Sequence, residues 1–276
     1  MISEYEAWIG RSEIFVDILS EVNCRRFYHT LNIKDPIPTI GQNVFPMIIL
    51  TLGEKSTPIE NLGEDGHPIR GDFIPPISLK RRMFAGGEYE FYHPLKVGSE
   101  VKIICKIKEI FKKKGKTGEL IFVKIRKDFY INDLKCARET RSLVFSDCNP
   151  NSQPEGIVGK TGEWIEQLNS NPIQLFKFSA LTFNGHRIHY DRKYAIENEG
   201  YPSLVVHGPL IASLLSFFAE KKTGRKLSKF NFKGIRPIFE INKFFLTGEK
   251  IENNSSNLKV LDHESKIAVE ARCEFF

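Results

Sequence analysis

The sequence predicts an α+β fold built from two β-rich halves, and three observations carry that expectation. Four runs rich in Val, Ile, Phe and Tyr follow one another between Arg82 and Asp147, each bounded by turn residues. A single clearly apolar helix, Pro209 to Lys222, is followed by strand-like segments to Phe276, which suits an antiparallel sheet curled around one helix. A weak internal echo links the halves. His93-Pro-Leu-Lys-Val-Gly-Ser-Glu-Val101 and Arg236-Pro-Ile-Phe-Glu-Ile-Asn-Lys-Phe244 share a proline, then hydrophobics at matching offsets before a strand.

Taken in order, the chain opens on the acidic stretch Met1 to Trp8, which is neither a secretory signal nor an arginine-rich transit peptide. Phe45 to Leu52 is the richest apolar run, long enough for a turn or two of helix and far short of the ~18 residues of a membrane span. The four strands are expected at Phe84–Tyr92, Val101–Phe111, Leu120–Tyr130 and Leu134–Phe145, with Asn132-Asp133 as a tight turn. Lys112-Lys-Lys-Gly-Lys-Thr-Gly118 reads as a solvated hairpin turn, with a phosphate-contacting lip as the alternative. Ser146 to Gly162, polar and without periodicity, reads as a linker. It divides the chain into residues 1–147, a linker at 148–162, and residues 163–276. Ile173 to Phe183 looks strand-like. The helix at Pro209–Lys222 repeats Leu210, Leu214, Phe217 and Phe218, with proline in its first turn and Gly224 just past its end. Asn253 to Ser256 is a further turn.

Composition narrows the function. With 41% apolar and 27% charged residues among 276, the chain buries a core and is not disordered. Five scattered cysteines with no CxxC form neither a disulfide framework nor a zinc ribbon, and fit a reducing cytoplasm. A net charge of +6 suits an anionic small molecule and is too weak to argue for nucleic acid. Gly-Lys-Thr occurs at 115–117 and 159–161, but a phosphate loop needs glycine where Ile110 and Pro154 stand. There is no G-x-S-x-G elbow and no G-x-G-x-x-G.

Chemistry concentrates in two places. Ser179 to Asp191 places Asn184, His186, Arg187, His189, Tyr190 and Asp191 just after an apolar run, and Val205-Val-His-Gly-Pro209 puts His207 and Gly208 at the start of the helix. Unpaired N–H groups at a helix start favour developing negative charge, and glycine lets a ligand approach the backbone. Each residue has a plainer reading: His186 or His189 as a polar anchor, Arg187 paired with Asp191 or Glu197, Gly208 as a cap, and Asp191 as N-cap of a short helix. A metal site of His186, His189 and Asp191 lacks the glutamate of H-E-x-x-H and a third, distant ligand.

Thr182-Phe-Asn-Gly-His-Arg-Ile-His-Tyr-Asp191 followed by Gly200 to Leu210 resembles the MaoC-like hot-dog hydratases and dehydratases. The likeness is strongest to the branch that holds mesaconyl-C4-CoA hydratases and type 2 hydroxyacyl-thioester dehydratases. Gly10-Arg11 after Trp8, Asp65 to Gly71 with Phe73 to Pro76, and Arg82-Met-Phe-Ala-Gly-Gly87 extend it through the first half. The resemblance implies a double hot-dog with a degenerate, non-catalytic first half and a catalytic second half. The broader motif has aspartate five residues before its histidine, where this sequence has Asn184 before His189; the mesaconyl branch shares the asparagine.

The reading that follows is a cytoplasmic hydro-lyase on an enoyl-CoA thioester, with a short dicarboxylic acyl group and CoA brought by the substrate, so that no other cofactor and no metal is needed. His189 is the expected acid/base, Asn184 the water anchor and the Gly208 N–H the enolate donor. Arg187, His186 and His207 are the expected substrate-binding residues, Arg187 for the acyl carboxylate. A silent acyl-CoA binder, a dehydratase for longer chains and a thioesterase are the alternatives. No nucleic-acid or membrane partner is expected, and a homodimer of double hot-dogs is.

Overall fold

The computed structural model describes residues 4–115, 118–147, 155–250 and 252–276. Most of the expected linker, and Cys148 with it, lies outside the described residues.

The first half runs β1 (Ser12–Ile18), α1 (Glu21–Thr30), β2 (Arg81–Phe91), β3 (Glu100–Gly115), β4 (Gly118–Ile131) and β5 (Leu134–Ser146). The second runs β6 (Trp164–Asn169), α2 (Pro172–Leu181), α3 (Arg192–Glu197), α4 (Gly208–Thr223), β7 (Leu227–Gly234), β8 (Lys243–Gly248), β9 (Ser255–Leu261) and β10 (Ile267–Phe275). All ten strands join one antiparallel sheet in the order β1-β3-β4-β5-β2-β7-β10-β9-β8-β6. Read inward from either edge, the two halves have the same order, with β2 and β7 meeting at the centre from Gly86↔Lys233 to Glu90↔Lys229. The two echoed segments enter β3 and β8, which are equivalent strands in this order. This is the α+β double hot-dog that the resemblance implies.

The two halves differ in what fills the sheet. In the second, α4 buries Leu210, Ile211, Ala212, Leu215, Phe218 and Ala219. Pro209 opens it, and Gly224, in the left-handed region at φ 68°, closes it by donating its N–H to the Glu220 carbonyl. In the first half the segment before the inner strand holds a 3-10 helix, Pro46–Thr51, whose Met47 to Leu50 are buried. Gly53 ends this stretch at φ 65°, with the Ile103 side chain 3.2 Å from where a Cβ would stand. The chain then makes a long excursion, residues 54–80, before β2.

One expected strand is a helix. Ile173–Phe183 lies mostly in α2, because Asn171 caps it by accepting from the Gln174 N–H at 2.9 Å and Pro172 occupies its first turn. Its Leu175, Phe178 and Ser179 face inward at helical spacing, while Ile173 and Phe176 stay exposed. The aromatic and β-branched content that suggests a strand is thus outweighed by the caps and by packing on α1, where the Gln174 Nε2 donates to the Thr30 carbonyl at 2.9 Å. The strands β1 and β6 and the helix α1 were not expected; each is short, and neither strand has a fully buried residue to mark it.

Candidate active site

Helix α2 ends with Phe183 in the left-handed region, φ 48°, and this reversal throws residues 184–190 back across the sheet. The segment is held by its own polar groups: the Asn184 N–H donates to the Ser179 carbonyl at 2.8 Å, and the Asn184 Oδ1 accepts the His186 N–H at 3.1 Å. A short 3-10 helix, Arg187–His189, follows, and Asp191 caps α3 by accepting from the Tyr194 N–H at 3.0 Å.

His189 is 7% exposed, and its Nδ1 sits 2.7 Å from the Val205 carbonyl oxygen. A carbonyl only accepts, so Nδ1 carries the proton and Nε2 keeps its lone pair. Burial pulls the His189 pKa down to about 4, against the opposing pull of the Val205 hydrogen bond, so the ring is neutral at physiological pH. His207 stacks against it, ring centroids 3.7 Å apart and planes 19° from parallel. The His207 Nε2 is 2.8 Å from the Ser179 Oγ on α2, and Phe178 meets its ring edge-on. His207, expected to bind substrate, is fully buried behind the His189 ring and is not among the residues that line the cavity.

A cavity of about 2000 Å³ opens in front of these groups and is lined by Asn184, His186, His189 and Gly208 among others. Gly208 begins α4, and its N–H has no acceptor among the described residues. The helix has no side-chain cap at that end, which leaves its positive pole open to the cavity. A Cβ on Gly208 would come within 2.7 Å of Phe84 Cδ1, so β2 presses on the backbone there.

Arg187 does not do what its sequence position suggests. Its Nη2 and Nε donate to Asp191 Oδ2 at 2.7 and 3.1 Å, its Nη1 donates to the Glu64 carbonyl at 3.1 Å, and its guanidinium lies 4.2 Å from the Tyr194 ring centroid. All of these point away from the cavity, which Arg187 does not line. The expectation that it meets a substrate carboxylate is corrected in favour of the ion pair with Asp191. The metal triad of His186, His189 and Asp191 fails with it, since Asp191 is spent on Arg187 and the α3 cap.

Of the many first-half residues that line the cavity, two that carry titratable chemistry beside the histidines were not singled out in the sequence. The excursion returns as a lip, residues 62–71, that lies against the segment 184–190: a Cβ on Gly66 would stand 2.0 Å from the Gly185 carbonyl oxygen, and the Arg187 N–H donates to the Asp65 carbonyl at 3.0 Å. This lip carries His67, whose ring centroid is 4.7 Å from that of His186, itself 5.4 Å from His189. Arg82, at the start of β2, lines the same cavity. Burial holds His67 and His186 well below the ordinary histidine pKa, and the Arg82 charge lowers both further. Both residues stand in stretches that carry the family resemblance, which was the only sequence signal for them. Ligand atoms of Asp65, His67 and His186 lie within 4.8 Å of one another, but Asp65 Oδ1 already accepts the His67 N–H at 3.0 Å and the neighbouring arginine disfavours a cation.

The family described as hydroxyacyl-thioester dehydratase type 2 matches residues 51–240. The mesaconyl-C(4)-CoA hydratase of Chloroflexus aurantiacus is 37% identical over 257 residues, covering 91% of this chain and 92% of that protein. The mitochondrial hydroxyacyl-thioester dehydratase type 2 of Schizosaccharomyces pombe is 27% identical over 67% of this chain and 70% of its own length. Among solved structures, a MaoC-like dehydratase from Phytophthora capsici superimposes with a TM-score of 0.74 at 12% identity, covering 97% of this chain and 95% of that one. A Mycobacterium tuberculosis protein described as a double hotdog gives 0.58 at 11% identity over 97% and 96%. Those two show the fold alone. The chain is an enzyme of the hydratase and dehydratase kind, and it belongs to the type 2 hydroxyacyl-thioester dehydratase family.

Proposed function

We propose that this enzyme reversibly adds water across the double bond of an enoyl-CoA thioester, with a short dicarboxylic acyl group, such as mesaconyl-C4-CoA giving citramalyl-CoA. The observation that carries the reading is the pairing of a fixed, neutral His189 with the open start of α4 in one cavity. Water attacks the carbon β to the thioester carbonyl while His189 Nε2 takes its proton. The double-bond electrons move onto the thioester oxygen, where the Gly208 N–H and the helix dipole stabilise the enolate. The imidazolium then returns the proton to the α-carbon, and the same steps in reverse expel water. A depressed histidine pKa is workable here because the enolate is an anion beside the ring, and it stabilises the imidazolium for as long as both exist. Asn184, its Oδ1 holding the His186 N–H and its Nδ2 without an acceptor among the described residues, anchors the water. No group beyond the CoA carried by the substrate is required.

No helix among the described residues is long and apolar enough to cross a membrane, and Cys24, Cys105, Cys136 and Cys273 are free thiols, which suits work in the cytoplasm. The test is a panel of mesaconyl-C4-, itaconyl-, crotonyl- and longer enoyl-CoA compounds, followed by loss of the enoyl-thioester absorbance. Hydration of at least one, fastest with a dicarboxylic acyl group, is expected. No loss with any of them, together with retained acyl-CoA binding, would mark a silent binder; release of free thiol would mark a thioesterase.

A further inference from the structure

With Arg187 committed elsewhere, the cavity needs another partner for an acyl carboxylate. Five arginines line it: Arg70, Arg82, Arg141, Arg236 and Arg272. Arg70 donates to the Ile77 and Leu79 carbonyls, Arg141 pairs with Glu139 at 2.9 Å, Arg236 lies 3.8 Å from Asp262, and Arg272 donates to the Ser255 Oγ. Of these five side chains Arg82 alone makes no hydrogen bond and no ion pair among the described residues, with the Asp65 and Glu54 carboxylates acting on it only from a distance. Its neighbour Arg81, on the opposite face of β2, reaches Glu199 at 3.7 Å. A guanidinium is a rigid fork of five N–H donors, and leaving it covered and unpaired is costly unless something else fills the fork.

The position of Arg82 says what fills it. Side chains two apart on a strand share a face and are about 7 Å apart along it. Arg82 therefore stands one step from Phe84, whose ring lies over Gly208 at the open start of α4. From the other side its charge acts on His67 and His186, and the His186 ring is 5.4 Å from that of His189. An anion held by Arg82 thus lies within one acyl group of both the base and the enolate donor. The CoA phosphates are too far along the substrate for this place, because the whole pantetheine arm separates them from the thioester. The two neutral imidazoles line the same cavity and add hydrogen-bonding nitrogens, which lie within 4.8 Å of each other and of an Asp65 carboxylate oxygen.

Resting on the hydration proposed above, we propose that Arg82, with His67 and His186, binds the free carboxylate of a dicarboxylic acyl group and so selects the substrate. The site is shared between the halves: the cation comes from β2, one imidazole from the lip of the first half, and the other from the catalytic segment.

The experiment has arms that separate this from the hydration reading. Arg82→Gln should lower kcat/KM for mesaconyl-C4-CoA by about 10- to 100-fold, the worth of one charged hydrogen-bonded contact, and leave crotonyl-CoA nearly unchanged. Arg82→Lys, which keeps the charge without the fork, should fall between. Wild-type enzyme should prefer the free acid over its methyl ester by a similar factor, a comparison that needs no variant to fold. The preference should persist with N-acetylcysteamine thioesters, which carry no phosphate; its disappearance there would assign Arg82 to CoA and overturn the proposal. Calorimetry with free mesaconate, which requires no turnover, should show binding to wild type and none to Arg82→Gln, with the uncharged mesaconate dimethyl ester binding to neither. Retained mesaconate binding in an enzyme that hydrates nothing would sink the hydration reading alone. Equal losses on mesaconyl- and crotonyl-CoA, or equal wild-type rates for acid and ester, would overturn the assignment of Arg82.

Discussion

Gly208→Ala tests the enolate site by geometry, without deleting the donor. Alanine keeps the N–H, so any loss comes from the added methyl. That methyl would meet Phe84 Cδ1 at 2.7 Å, Cγ at 3.4 Å and Cε1 at 3.5 Å. Comfortable carbon contacts begin near 3.5 Å, so either the ring or the start of α4 must retreat by roughly 1 Å. The ring has little room, because Phe232 on the adjoining strand lies 5.9 Å from it, centroid to centroid. Overpacking of this kind costs about 1–3 kcal/mol, offset by up to about 1 kcal/mol from replacing glycine in a helix. A net loss of about 1–2 kcal/mol lowers Tm by roughly 2–8 °C in a chain of this size. The catalytic effect is larger: a displaced oxyanion donor costs about 10²–10³ in kcat. The suppressor is Phe84→Leu, which removes the clashing ring edge. In a double-mutant cycle read by kcat and by thermal melting, the pair should recover part of both losses. A Gly208→Ala enzyme with wild-type rate and Tm, or a double mutant whose losses simply add, would refute the packing of Phe84 on this helix start and the donor role built on it.

Further outcomes are expected. His189→Ala should remain folded, bind acyl-CoA and lose about 10²–10⁴ in kcat, measured by enoyl-thioester absorbance; near-wild-type hydration would discard the mechanism. Asn184→Ala should lose activity through a poorly held water, whereas Asn184→Asp should harm mesaconyl-C4-CoA more than crotonyl-CoA, because the new carboxylate competes for Arg82. Stability should fall in acid. The folded state holds His189 near pKa 4 against about 6.5 unfolded, and His67, His186 and His207 are depressed as well. The unfolded chain therefore binds more protons below pH 6.5, so this stabilisation is complete above that pH and drains as pH falls towards 4. His189 alone accounts for about 1 kcal/mol of loss between pH 7.5 and 5.5, read from urea midpoints, and the other three act in the same direction; a flat profile would contradict the burial of these rings. Gly66→Ala places a Cβ 2.0 Å from the Gly185 carbonyl oxygen, on a residue at φ 84°, and should raise KM by lifting the lip off the catalytic segment.

What the sequence revealed follows physical range. Local signals served well: proline and glycine bracket α4, Asn132 and Asp133 both take positive φ between β4 and β5, and Asp191 caps α3. Each of these is decided by contacts within a few residues. The strand expected at Ile173–Phe183 failed because its apolar residues lie on both faces of α2, exposed Ile173 and Phe176 as well as buried Leu175 and Phe178, which blurs the helical period. In the site, Asn184, His186, His189 and Gly208 do line one cavity. Arg187 was attractive because it adjoins the histidines in sequence, yet Asp191 one helical turn later captures it. His67 and Arg82 were invisible as chemistry for the opposite reason. They reach the cavity only through the meeting of β2 with β7 and the return of a long excursion, neither of which any local pattern encodes.

The matched strand orders of the two halves, set against the single catalytic segment, bear on how such an enzyme changes. In a symmetric pair of identical hot-dogs every substitution appears twice, so a residue that improves the wall of one site must also be tolerated at its mirror position. Fusion removes that coupling. Here the first half holds only the short helix Pro46–Thr51 where the second holds α4, and its residues 62–71 bring His67 up to the other half's His186. A change in residues 62–71 or at the start of β2 can then reshape one wall of the cavity with no matching change at Asn184, His189 and Gly208.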